Sequence, residues 1–152
     1  PSCEKGCQRA FKAFDMGDSD KAAIDKITAR FFNAFTNHDG AVANIDCLHE
    51  IFMPGALIVK NLNGEPVIYD VDGFIEPRRA ILTDGTLSQF CEREVSESTE
   101  IFRNVAHRFS RYEKSWTASG VAMRGAGAKV IQFIRTASGW KILSLAWDDD
   151  PA

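Results

Sequence analysis

The chain has 152 residues, of which 45% are hydrophobic and 26% charged, and it carries a formal net charge of −3. That length suits one domain with a single core, and no stretch concentrates Lys and Arg as a phosphate-binding surface requires, which speaks against nucleic acid. No apolar run approaches the ~20 residues that span a bilayer, and no cationic start followed by an apolar core marks a secretory signal, so a membrane partner and export are not expected. Residues 1–17 hold a short apolar cluster at Ala10, Phe11 and Phe14 and read as an N-terminal extension ahead of one domain over 18–150. Asp18 or Ser19 can cap a long helix whose apolar face is Ile24, Ile27, Phe31, Ala34 and Phe35, with Gly40 as its left-handed stop. Val42, Ile45, Leu48, Ile51 and Phe52 have the spacing of a second helix, ended by Pro54-Gly55.

The β-branched run Ala56–Val59 reads as a strand, and Asn63-Gly64 is a strong hairpin signal before Pro66–Tyr69. A third helix passes through Phe74, Ile75, Ala80, Ile81 and Leu82, with Pro77 disturbing its first turn because it lacks a donor. Leu87–Ile101 and Asn104–Trp116 then alternate over a length that indicates sheet, and Thr117–Gly127, with its three glycines, reads as a mobile loop. Lys129–Asp150 closes the chain as two strands joined at Ala137-Ser138-Gly139. Both arms carry apolar residues on both faces, so one face should meet the chain's own helices and the other a second subunit. Helices first and an antiparallel sheet after them make the class α+β.

Four stretches, ARFFNAF (29–35), LHEIFMPGALIV (48–59), NVAHRFSRYE (104–113) and VIQFIRTASGWKILSLAWDDD (130–150), resemble the nuclear-transport-factor-2-like superfamily, in particular a SnoaL-like branch without assigned function. The resemblance implies a cone-shaped, cystatin-like fold: three N-terminal helices on a curved, mainly antiparallel sheet with a cavity at its open end. The superfamily includes isomerases, dehydratases, cyclases, transport factors and association domains, so fold alone assigns no activity. Ketosteroid isomerases in it place a tyrosine on the long helix and an aspartate near the first strands. Here those places hold Phe31, Phe32 and Phe35, and Leu57, Ile58 and Val59. Scytalone-dehydratase-like sites use two histidines with an aspartate, and the only histidines here are His38, His49 and His107. In the SnoaL-like branch a glycine often stands at Arg103 and an arginine near Ala126.

His107, on a central strand between Ala106 and Phe109, is the leading candidate for proton exchange near neutral pH; the competing reading is a core or interface histidine. Glu92 and Glu94 share one strand face, two residues apart. Facing a cavity they would form an acid–base pair; facing water they would be solvated partners of Arg108 or Arg111. Glu92, beside Phe90, is the one expected inward. Tyr112 and Trp116 could stack on a flat organic ligand, or pack in the core or a dimer contact, and Phe31, Phe35 and Phe90 would supply the apolar wall. The same rings, with Phe109, could instead close the cavity altogether. Trp140 reads as core, Leu145 and Trp147 as contacts to another subunit, and Asp148 as a rim residue or a solvated tail.

Ser88, Ser110 and Ser144 have no visible partners for a hydrolytic triad, and Gly125-Ala126-Gly127 lacks the setting of a phosphate loop. Cys3, Cys7, Cys47 and Cys91 complete neither a zinc set nor a disulfide framework, which fits a reducing cytoplasm without metal. The expectation is therefore a cytoplasmic homodimer joined through its outer sheet face, with a pocket for a small apolar organic molecule. Its chemistry would be cofactor-independent proton transfer through His107 and Glu92; the alternative is a non-catalytic ligand-binding or dimerisation module.

Overall fold

A computed structural model describes residues 19–152; the N-terminal extension with Cys3, Cys7, Phe11 and Phe14, and the proposed cap Asp18, lie outside the described residues. Helix α1 covers 19–33, followed by single 3-10 turns at His38–Gly40 and Ile45–Cys47 and a one-turn helix α2, Leu48–Ile51. Then come β1 (Phe52–Leu62), β2 (Glu65–Tyr69), α3 (Val71–Thr83), β3 (Ser88–Phe102), β4 (Val105–Ala118), β5 (Val121–Thr136) and β6 (Gly139–Asp149). The six strands form one curved sheet ordered β2-β1-β6-β5-β4-β3. Only the β1–β6 pair is parallel. Its inner face carries the helices, so the architecture is α+β as read from the sequence. None of the described helices is long and apolar enough to cross a membrane.

Helix α1 lies across the sheet because its buried side chains fall at helical spacing. Ile24, Thr28, Phe31, Phe32 and Phe35 are buried against Ile131, Phe133, Trp140, Ile142 and Leu145. Asp20 ties its start to the sheet, accepting from Arg135 Nη1 at 2.8 Å and Trp140 Nε1 at 3.1 Å. Asn37 fastens its far end: the side-chain amide donates to the Leu82 and Leu87 carbonyls and its oxygen accepts from Phe90 N–H at 2.7 Å. The helix itself ends at residue 33, so Gly40, at φ +81°, is not its stop but lies in the separate turn His38–Gly40.

Four local expectations are corrected. Val42–Phe52 is not one helix: Val42 is exposed, and the chain makes two short turns before entering β1 at Phe52. Pro54-Gly55 lies within β1, in the irregular pairing between Phe52 and Leu57, with Gly55 at φ +81°. Pro77 is accommodated inside a continuous α3, whose N-cap Asp70 accepts from Gly73 N–H at 2.6 Å. Thr117–Gly127 is no loop. Ala118 pairs with Val121 across a two-residue turn, Ser119-Gly120, both at positive φ, and the rest is strand.

Two bulges decide which residues face inward. Leu143 is an extra residue in β6, since Gln132 pairs with Ser144 and Phe133 with Ile142. Leu145 and Trp147 are thereby turned into the chain's own core rather than toward another subunit, which corrects that expectation. Val95 is an extra residue in β3, between pairs Glu94–Tyr112 and Ser96–Arg111. It keeps Glu97 and Thr99 on the inner face, where both hydroxyl and carboxylate reach Arg108.

Candidate functional site

At the end of α1 nearest α3, the curled sheet stands away from the helices and leaves a cavity of about 340 Å³. Its walls are Phe31 from α1 and Phe35 in the turn that follows it, Phe74, Ile81 and Leu82 from α3, and Phe90, Trp116 and Trp147 from the sheet. The rings meet edge to face: Phe31 and Phe35 at 5.2 Å, Phe35 and Phe74 at 6.0 Å, Phe74 and Trp147 at 5.9 Å.

Two charged groups form the floor. Glu92 is 9% exposed and Lys129 is 5% exposed, and Lys129 Nζ lies 2.8 Å from Glu92 Oε1. That oxygen is itself sealed from solvent and has no well-aligned hydrogen bond, so its contact with Lys129 is an ion pair by distance. Four rings surround the lysine: Tyr112 at 4.0 Å from Nζ, Trp147 at 5.4 Å, and Phe31 and Phe32 at 5.7 Å. Burial pulls the Lys129 pKa below its ordinary value, against the pull of Glu92. Toward the rim, Lys114 pairs with Asp149 at 2.9 Å, and Asp149 also accepts from the Tyr112 hydroxyl.

Of the residues singled out in the sequence, Glu92, Phe31, Phe35, Phe90 and Trp116 stand on the cavity wall. Tyr112 is buried beneath it: its hydroxyl is spent on Asp149 and on the Asp148 carbonyl at 3.2 Å, so it supports the floor rather than meeting a ligand. His107 is on the opposite side of the sheet. Its side chain is 57% exposed and its Nε2 faces Glu100 at 3.3 Å, so it cannot act with Glu92 in the same cavity. Phe109 shares that outer face and closes nothing. His38 and His49 are exposed beside Asp39 and Asp72. Asp149, not Asp148, turns to the rim. Lys129, Arg78, Lys114 and Trp147 were not foreseen. Lys129 had a readable signal, since it alternates with Ile131 and Phe133 on the buried face of β5.

A second ionic cluster lies where α1 crosses β3 and β4. Arg108, almost fully buried, donates to Glu94 in a fork and to Asp25 at 2.6 Å, and lies 3.6 Å from Glu97. Ser110 donates to Glu94 at 2.6 Å. Glu94 thus shares the inner face with Glu92 but belongs to a different, internally paired set. Burial works against charge on Asp25 and Asp149. Hydrogen bonds outweigh it, from Lys21 and Arg108 in one case and Tyr112 and Lys114 in the other, holding both below the usual range; Thr99 and Lys21 do the same for Glu97. Groups depressed in this way stabilise the fold fully above their ordinary values of 3.8 and 4.5, and that contribution is lost as pH falls through the lower folded values. The melting temperature should therefore hold from neutral pH to about pH 5 and fall steeply below about pH 4. Lys114→Met should shrink that acid-side drop, measured by circular dichroism across the same range.

Helices over a curled six-stranded mixed sheet, with a cavity at the open end, define the nuclear-transport-factor-2-like, cystatin-like fold. Neither a protein-family model nor a curated protein matches the sequence. Solved structures match the fold. A nuclear transport factor 2-like superfamily protein from Salmonella enterica is 11% identical over 90% of this chain and 94% of its own, with a TM-score of 0.73. An uncharacterised protein with a cystatin-like fold from Caulobacter vibrioides is 15% identical over 88% and 91%, with a TM-score of 0.65. A candidate aromatic ring hydroxylase from Novosphingobium aromaticivorans is 17% identical over 88% and 91%, with a TM-score of 0.69. Likeness at these identities is a likeness of fold.

Proposed function

We propose that this is a SnoaL-like protein whose cavity binds a small, largely apolar organic molecule and moves a proton on it without a cofactor. The observation that carries this reading is the Glu92–Lys129 pair, 2.8 Å apart and buried at the floor of a cavity otherwise walled by aromatic rings. A carbonyl compound seated there would give a proton from the carbon beside its carbonyl to the Glu92 carboxylate. The Lys129 N–H would hydrogen-bond the oxygen on which charge develops. Return of the same proton to another carbon completes an isomerisation with no net change in atoms. The low dielectric of the site strengthens both interactions.

The test is deuterium uptake at the carbon beside the carbonyl, followed by NMR in D2O for a panel of small aryl ketones and cyclic enones. The wild type should exchange at least one of them, and Glu92→Gln should slow that exchange by at least about a hundredfold, as loss of a general base does. Binding without exchange across the panel would favour the alternative, a pocket that holds a ligand and performs no chemistry.

The outer sheet face supports a second proposal, that two copies associate through it. One row of side chains crosses five strands without a charge: Ile68, Val59, Ala146, Val130 and Phe109, each paired to the next. Val130 and Phe109 are both 49% exposed. Charged or polar rows flank it, with His107, Gln132 and Ser144 on one side and Arg111 and Asp148 on the other. An uncharged strip between polar borders is complementary to a second copy of itself. Val130→Glu should turn a dimer into a folded monomer, read by sedimentation at low concentration; a wild type already monomeric at micromolar concentration would exclude the interface. The half-buried, unpaired thiols Cys47 and Cys91 suit a reducing, cytoplasmic setting.

A further inference from the structure

Arg78 is the charged group of the cavity whose place neither proton transfer nor core packing explains. It follows Phe74 by one turn of α3, and its guanidinium carbon lies 3.8 Å from the Phe74 ring centroid, 5.2 Å from Tyr69 and 5.7 Å from Trp147. An arginine on a helix normally sends its head to water or to a carboxylate. Here the head sits over the Phe74 ring, with Tyr69 and Trp147 beside it at the cavity wall, and Nη1 donates to the Phe74 carbonyl at 3.1 Å. No described carboxylate lies within ion-pair distance of it; the Tyr69 hydroxyl and, further off, the Glu92 charge are its polar surroundings.

The balance of charge around the cavity points the same way. Lys60, Arg78, Lys114 and Lys129 line it against Glu92 and Asp149. Lys114 is matched by Asp149 and Lys129 by Glu92, which leaves Arg78 and Lys60 without a described counter-ion, in a chain whose net charge is −3. A guanidinium has five N–H donors in a planar fork, suited to two parallel bonds to a carboxylate. Rings beneath it hold the fork in one orientation before anything binds, which lessens the ordering that binding requires.

We propose that the ligand of this cavity is a small aromatic carboxylic acid, its carboxylate gripped by the fork of Arg78 and its ring held among Phe35, Phe74 and Trp147. The size of the cavity agrees, since about 340 Å³ is at the small end of ligand pockets and suits a one-ring molecule. Arg78 is a binding and specificity residue in this arrangement, placed to hold one end of the molecule while its other end meets the Glu92–Lys129 floor.

The inference rests on the reading of the cavity as a ligand site, and matched pairs of compounds test the two separately. Benzoate and phenylacetate are compared with benzamide and phenylacetamide by calorimetry and by shift in melting temperature, on the full chain. The wild type should bind at least one acid roughly tenfold or more tighter than its amide. Arg78→Gln should erase that preference while leaving amide affinity within about twofold. Arg78→Lys, which keeps the charge but loses the fork, should retain only a part of it. Equal binding of acid and amide by the wild type would overturn the role of Arg78 and leave the ligand site standing. An acid preference unchanged in a folded Arg78→Gln would overturn it too. Binding of neither member of any pair would overturn the ligand site and this inference together.

Discussion

Lys129→Met should destabilise the fold by about 3–5 kcal/mol, although methionine fills nearly the same volume and brings no polar atom into the aromatic nest. The cost comes from the partner left behind. Glu92 would remain beneath Phe31 and Trp147 with a buried oxygen that already lacks an aligned donor, and an uncompensated buried carboxylate is expensive. The double change Glu92→Leu with Lys129→Met should recover most or all of the loss, because desolvating two charges consumes much of what their attraction returns. Urea unfolding of the four proteins reads the coupling directly, with an unchanged slope confirming that only stability has moved. A double mutant as unstable as Lys129→Met alone would show that the pair does not act as a unit.

The pH profile gives the same lysine a second signature. Its pKa is lowered in the folded chain, so between that value and the ordinary 10.5 the unfolded chain binds the extra proton, and stability rises with pH across that interval. The buried Tyr112 phenol, whose pKa is raised above its ordinary 10.0, acts in the opposite sense beyond that point. The wild type should therefore gain stability as pH approaches about 10 and then lose it, while Lys129→Met should show only the loss.

Gly127→Ala should be nearly as damaging, at about 3 kcal/mol or more, and for a purely steric reason. A Cβ at Gly127 would fall inside contact distance of the Asp148 carbonyl and the Tyr112 hydroxyl, and 2.7 Å from Tyr112 Cζ. The carbonyl belongs to the neighbouring strand and cannot withdraw, and Tyr112 is sealed between the sheet and Lys129. Tyr112→Phe removes one obstacle but not the carbonyl, so the double variant should be less unstable than the sum of the single changes yet remain well below wild type. Tolerance of Gly127→Ala in a thermal melt would mean that β5 and β6 stand further apart than described.

That same glycine shows why part of the fold could be read from the chain and part could not. Helix α1, the Asn63-Gly64 turn and the closing pair of strands are local facts, written in apolar spacing and turn residues. Gly125 and Gly127 looked like loop because their reasons are side chains on the neighbouring strand: Gly127 leaves room for the phenol of Tyr112, and Gly125 sits against Lys114 and Trp116. Alternation identified β4 correctly but could not say which of its two faces was covered, and His107 was assigned to the wrong one. For Trp147 the difficulty was the bulge at Leu143, which reverses the faces of β6 partway along. Glu92 was legible because a carboxylate next to Phe90 in an alternating strand invites burial. Arg78 was not, because on a helix with mixed surface nothing local distinguishes it from a solvated arginine.

The bulge at Leu143 also sets how easily the cavity could be rewritten. Were β6 to run flat through Leu143 with no residue lost, simple alternation from Trp140 onward would carry Ala146 and Asp148 inward where Trp147 and Asp149 stand now. Arg78 would then lose an aromatic bed and Lys114 its counter-charge with every side chain unaltered, whereas deleting Leu143 would leave Trp147 and Asp149 facing inward. The chemistry of this hollow thus hangs on a reading frame within one strand, a lever that substitution alone does not reach.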